Sequence, residues 1–588
     1  MSLRVHPALA AASLLLAPAL AAADAAFEQF AQRLADDWMR ANPTAATTQQ
    51  YFSGAEQDAL DRQLTPITQE ARAARVALAR RGLAELARFD ARGLSETGRA
   101  SAAMLKWQLD DIVEGEPFAD HALVFEQFRG LQVGLVNFLS QTHPIRNARD
   151  IENYLARLAL VAPQVDEGIA QARDRATRGI MPPKFIVTAT LAQLGRFLAD
   201  EPAKNVLVAS LGERAAKVKD LPPATRAAAL AAAEKIVTAQ IIPAFRRIEA
   251  MLNEQLPRAA DDAGLWRLPG GAEAYAAALR RNTTTTLTPE QIHALGLSEV
   301  ARIEARMDTL LRELGYTAGS VKDRYAQLNL DQQPKEADPR PALLARYTAI
   351  VRDAEQRAAA IFDLRPKAPC DVRREPPFTE KSAAAHYTGP ARDGTRPGVF
   401  WVPLPGAPFR IVSMRSLAYH EAVPGHHFQI ALQAESTELP AFRRDRVFGG
   451  LAAHAEGWGL YAERLAAENG WYEGDKIGAL GQLDSELFRA RRLVVDTGLH
   501  AKRWTRQQAI DYGIPVSEVE RYVVMPGQAC AYKIGELRIL AIRDQARAAL
   551  GAKFSVKEFH NLILRNGNVP LDVLAQIVAA WVRERGEK

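Results

Sequence analysis

Apolar positions recur with helical spacing through most of the chain. In "DIENYLARLAL", Ile151, Tyr154, Leu155 and Leu158 fall at i, i+3, i+4 and i+7, and Asp150 suits the N-cap. Farther on, Ile303, Met307, Leu310, Leu311 and Leu314 form one stripe that ends at Gly315. It begins behind Thr288-Pro-Glu-Gln291, a capping box with proline at the first helical position. Residues 505–508 and 517–520 read as two further capping boxes. No segment recurs at a fixed period, so an array of identical repeats is not indicated.

The texture changes between residues 366 and 412, where Pro, Gly and aromatic residues cut the chain into turns. "GVFWVPL" and "FRIV" have strand length, which predicts a small sheet over about 384–412, directly before the next helix. The fold class expected is mainly α with one small sheet. At 588 residues the chain is longer than one core usually serves, and two lobes are expected, at 24–315 and 316–588.

Charge and composition narrow the function. The 74 basic and 69 acidic residues are intermixed, for a net charge of +5, which argues against a nucleic-acid partner. With 48% hydrophobic and 24% charged residues the chain is expected to be ordered and globular. Arg4, an apolar run over 7–20 and small residues before Asp24 have the three-part build of a secretory signal at residues 1–23. The expected location is therefore exported, periplasmic or secreted. No later uncharged run approaches about 18 residues, so stable membrane insertion is not expected. Cys370 and Cys530 are the only cysteines; export permits a disulfide between them, and they cannot form a cysteine metal site alone.

The stretch "YHEAVPGHHFQ", residues 419–429, carries the candidate chemistry. Zinc-protease helices read H-E-x-x-H because histidines four apart share a face, with the glutamate between as general base. Here Pro424 occupies the place of the second histidine, and a regular helix cannot pass through it. If the irregularity absorbs two residues, His426 joins His420; if three, His427 does. In an unbroken helix His420 and His427 would lie about 10 Å apart along the axis, awkward for one metal, so His426 is preferred. The third ligand is assigned to Glu456 in "GGLAAHAEGWGLYAERL", whose neighbours Gly457 and Gly459 permit close helix approach. Glu463 is the reserve, or the group that orients a histidine. His454 reads as a packed residue.

"HEAVPGHHFQ", "AEGWGLYAE", "LVVDTGLHAKRWTRQQAIDY" and "RYVVMPGQACAYKIG" resemble the signatures of the bacterial domain of unknown function 885 family, across nearly the whole mature chain. Its HExxPGHH element resembles that of gluzincin metallopeptidases. A remoter similarity is to helical, deep-cleft zinc peptidases in which a Gly-His pair closes the motif. That likeness favours Gly425-His426 and implies a two-lobed helical fold around a deep cleft.

The resulting expectation is an exported zinc metallopeptidase acting on short peptides, with zinc on His420, His426 and Glu456 and with Glu421 as general base. Tyr522 and Tyr532 are ranked nearly equal as oxyanion donors, and His500, four after Asp496, is a further candidate. Arg521 and Lys533 are the candidates for binding a substrate carboxylate. A zinc hydrolase of a non-peptide amide would use the same residues. A non-catalytic helical binding protein is the other alternative, and the presence of Glu421 speaks against it.

Overall fold

A computed structural model describes residues 7–376, 380, 383–390 and 396–587, with side chains from residue 22 onward. The described residues are mainly α-helical, with one three-stranded sheet. The expected leader falls largely outside the described side chains; the backbone is helical over Pro7–Arg40.

In the first half, Phe27, Phe30 and Leu34 pack with Leu105 and Leu109. A second cluster joins Tyr154, Leu158, Val161 and Val165 to Leu207, Leu211, Phe245 and Ile248. The helix that carries Tyr154, Ala148–Thr177, starts earlier than the sequence suggested. Asn147 is its N-cap and accepts the Asp150 N–H at 3.0 Å, because the Asp150 carboxylate is already committed to Arg146. The run 223–258 is long and apolar enough by composition to cross a membrane. Its Ala229, Ala233, Val237, Ile241 and Phe245 follow one helical face into the second cluster.

The elements that position the site are α1 (Pro289–Glu313), α2 (Met414–Glu421), α3 (His426–Glu435), α4 (Ala452–Glu468), α5 (Lys476–Ala501), α6 (Val516–Val524) and α7 (Ala531–Leu550). The capping box at Thr288 forms, as does that at Thr505. The one expected at 517–520 does not: Pro515 takes the cap position of α6 and leaves Ser517 inside the first turn. Val300, Ile303, Met307 and Leu311 of α1 pack against Leu480, Leu483, Leu487 and Val494 of α5. Helices on both sides of residue 315 thus share one core.

The sheet comprises β1 (Cys370–Arg374), β2 (His386–Thr388) and β3 (Gly398–Val402) in the order β1-β3-β2. β1 runs parallel to β3 with Cys370 opposite Gly398, and β2 runs antiparallel with Tyr387 opposite Phe400. It begins before the expected range, of which residues 391–395 lie outside the described set. "FRIV" is not a strand. The Phe409 N–H donates to the Gln333 side chain at 2.7 Å and the Phe409 carbonyl accepts from it at 2.8 Å, so one glutamine takes the place of a neighbouring strand. Cys370 and Cys530 are free thiols, not a disulfide.

Candidate metal centre

The motif is built as two helices with a break between them. α2 ends at Glu421, the Val423–Pro424 peptide is cis, and α3 resumes at His426. Proline has no N–H to continue the first helix, and Gly425 lets the chain turn back on it. A Cβ at Gly425 would stand 1.9 Å from the His420 carbonyl oxygen, so no other residue fits that close approach. The Trp458 indole N–H, from α4, donates to the carbonyls of Pro424 at 2.9 Å and Gly425 at 3.2 Å and holds the turn. His420 thereby lies in the last turn of one helix, His426 opens the next, and their rings lie 4.8 Å apart and nearly perpendicular.

α4 supplies the third group. A Cβ at Gly459 would lie 2.6 Å from Cε1 of His420, so the bare backbone there admits the imidazole. Gly457 serves a different contact, against Gly535 of α7. The Nε2 atoms of His420 and His426 each stand 3.4 Å from the same Oε2 of Glu456. All three ligand atoms fall within 4.8 Å of one another. Metal bonds of about 2.0–2.1 Å at tetrahedral angles place neighbouring ligand atoms about 3.4 Å apart, so this donor set fits a zinc-sized dication. His420 is 2% exposed, His426 12% and Glu456 23%, which leaves the open side of the site toward solvent.

Glu463, one α4 face farther along, fixes the first histidine. His420 Nδ1–H donates to Glu463 Oε1 at 2.8 Å, and the Ser416 hydroxyl donates to the other carboxylate oxygen. This bond leaves the Nε2 lone pair of His420 pointing into the site. Burial opposes charge on His420, but Glu456 and Glu463 outweigh it and lift its pKa to about 9. Burial pushes Glu456 up, yet the two imidazoles hold it well below the carboxylate range. Burial also raises Glu421, against the pull of His426, His420 and Arg489.

The other candidates divide clearly. His427 turns away from the site: its Nδ1 pairs with the Tyr387 hydroxyl at 2.8 Å. His454 lies in the core beside the Val569 backbone, where burial lowers its pKa to about 4. His500 is fully engaged and cannot serve as a donor. Its Nδ1 accepts the Leu265 N–H at 3.1 Å and its Nε2–H donates to the Tyr522 carbonyl at 3.0 Å. Asp496 does not support it, because that carboxylate takes the Tyr275 hydroxyl at 2.6 Å and the Gly527 N–H.

Tyr522 is a core tyrosine with its hydroxyl satisfied, donating to Glu518 at 2.9 Å and accepting from Arg492 Nε at 2.9 Å. Tyr532, at the start of α7, is only half-buried. After burial, the charge of Glu456 is what raises its pKa most, so its hydroxyl lies within electrostatic reach of the His/Glu cluster. Arg521 is tied to Glu518 at 2.8 Å and Gln528 at 2.6 Å. Lys533 has no exposure; it pairs with Glu486 and Glu536 at 2.7 Å and with Glu299 at 3.0 Å, so it braces helices and does not face a ligand. Sequence reasoning missed Ser416, Arg489 and Arg492, which stand near this site through packing that no local pattern announces.

The sequence profile of one bacterial family of proteins of unknown function, DUF885, matches residues 43–578. No curated protein matches the chain. Among solved structures, "the putative lipoprotein from Colwellia psychrerythraea" shares 31% identity over 94% of this chain and 99% of its own, with a TM-score of 0.85. "A putative lipoprotein of unknown function from Shewanella oneidensis", at 19% identity over 94% of this chain and 99% of its own, shares the fold with a TM-score of 0.70. The match takes in the helix break and the His/Glu cluster and spans most of the sequence: the chain belongs to the DUF885 family.

Proposed function

We propose that this protein is an exported zinc-dependent metallopeptidase that hydrolyses short peptides. The observation that carries the reading is the convergence of His420 and His426 on one oxygen of Glu456. His420, His426 and Glu456 would hold the zinc, which when bound acts as a Lewis acid toward water and the scissile carbonyl. Glu421, next to His420 in sequence, takes the proton of the attacking water and later gives it to the leaving amine. Its buried, raised carboxyl suits both directions of transfer. Tyr532 donates its hydroxyl to the developing oxyanion. Glu463 keeps His420 in the tautomer the site needs. The leader-like N-terminus and the lipoprotein descriptions of the two similar structures support an exported or membrane-anchored location.

Metal analysis of purified protein, followed by mass spectrometry of a peptide-library digest, tests this. Wild type is expected to hold one zinc per chain and cleave short peptides. His420→Ala, His426→Ala and Glu456→Ala should lose metal, whereas Glu421→Gln should keep metal and lose turnover. Metal-loaded wild type that leaves every peptide intact would refute the peptidase reading. His427→Ala emptying the site while His426→Ala does not would overturn the ligand set.

A further inference from the structure

Two arginines of α5 stand beside the site with hydrogen-bonding capacity unused. Arg489 and Arg492 are one helical turn apart, and both lie against the ring of Tyr532, at 5.9 and 4.5 Å from its centroid. Arg489 spends Nη1 on the Ser485 hydroxyl at 2.6 Å and on that residue's carbonyl at 3.3 Å, while its buried Nε has no partner. Among the described residues no carboxylate forms an ion pair with it. Its charge is nonetheless felt by Glu421 and Glu463. Arg492 uses Nε on Tyr522 and Nη2 on Glu518, both at 2.9 Å; its buried Nη1 makes no well-formed hydrogen bond, and the Tyr532 hydroxyl is the polar group that its charge meets there. Its side chain is 7% exposed.

Buried donors without acceptors are costly and uncommon in folded proteins. Those here sit on two neighbouring guanidinium groups, the side chains best shaped to grip a carboxylate with paired N–H donors. Charge leads to the same ligand, because Arg492 and Arg521 share the single carboxylate of Glu518.

We propose that Arg489 and Arg492 form the subsite for a carboxylate of the peptide substrate, next to Tyr532 and the His/Glu cluster. The assignment rests on the peptidase reading above and moves the carboxylate contact from Arg521 and Lys533 to α5. It makes the protein selective for peptides that present an anion a short distance from the scissile bond.

The test uses metal-loaded full-length protein and three probes: an alanine tripeptide as free acid, the same peptide as C-terminal amide, and an amide whose last residue is glutamate. Calorimetric binding is measured beside turnover, so the subsite is tested even if no hydrolysis occurs. Binding through the carboxylate with no cleavage of these probes or of any library peptide would sink the peptidase reading and keep the subsite. The free acid is expected to bind at least about 100-fold more tightly than the plain amide, since the amide leaves charged donors unmet. Recovery of binding by the glutamate amide identifies a side-chain carboxylate as the ligand; no recovery identifies the chain terminus. In Arg489→Gln, whose side chain is only half-buried, the preference should collapse to a few-fold. Equal binding of free acid and both amides by wild type overturns the proposal, as does full preference retained in Arg489→Gln.

Discussion

Changing Tyr522 and Tyr532 separately to phenylalanine should give opposite outcomes. In Tyr522→Phe the lost hydroxyl is an acceptor for Arg492 Nε and a donor to Glu518. Glu518 keeps Arg492 and Arg521, so the damage is one buried guanidinium N–H left without a partner. Such a loss costs about 1–3 kcal/mol of stability, and turnover should fall less than threefold. In Tyr532→Phe the ring packing under Arg492 survives, while the hydroxyl proposed as oxyanion donor is removed. Loss of one oxyanion donor typically lowers rate by about 10² to 10³, or roughly 3–4 kcal/mol of transition-state stabilisation. A group that acts only in the transition state lowers kcat and kcat/KM together and leaves KM and zinc content nearly unchanged. Steady-state kinetics, metal analysis and denaturant unfolding of both variants read all of these quantities. Full turnover in Tyr532→Phe, or a catalytic loss in Tyr522→Phe without a loss of stability, would refute the reasoning.

Glu463→Gln keeps the shape of the contact to His420 but removes its charge, and zinc affinity should fall about 10- to 100-fold in chelator competition; an unchanged affinity would deny Glu463 its orienting role. Lys533→Met leaves buried Glu536 without a cation, while Glu299 and Glu486 keep Arg302, so unfolding free energy should drop by about 3–5 kcal/mol, and a neutral result would deny Lys533 its bracing role. His500 and His560 are buried with pKa values lowered to about 4 by burial, below the roughly 6.5 of the unfolded chain. The unfolded state therefore binds protons first: stability is complete above about pH 6.5 and is lost as pH falls toward 4, by up to about 3 kcal/mol per histidine. Denaturant unfolding across that window should show the decline, and a flat profile would contradict it.

The His/Glu cluster was legible because its chemistry is carried by residue type over short stretches: His420, Glu421 and His426 lie within seven positions, and Glu456 is followed by Gly457 and Gly459. The helical content was legible from apolar spacing, and the boxes at Thr288 and Thr505 follow from local hydrogen bonding alone. What failed depended on partners distant in sequence. "FRIV" has strand composition but meets Gln333 where a strand would need a neighbour. His500 and Lys533 look reactive in isolation, yet Leu265, Tyr522 and three glutamates consume every polar atom that chemistry would require. Arg489 and Arg492 illustrate the converse. Within "FRARRLVV" nothing distinguishes them from Arg491, which pairs with Glu304 on the far side of α5.

The indole that clasps the turn between α2 and α3 is also a light-emitting group. Trp458 has no exposure, and its N–H bridges the carbonyls of Pro424 and Gly425, between the two histidines that a cation would draw together. Any shift of that turn alters the electric field along the indole and hence the colour and yield of its emission. The protein therefore carries a native fluorophore at its candidate metal centre. The difference between wild type and Trp458→Phe isolates that emission from the other tryptophans, so loading and stripping of the site can be followed in real time without a label.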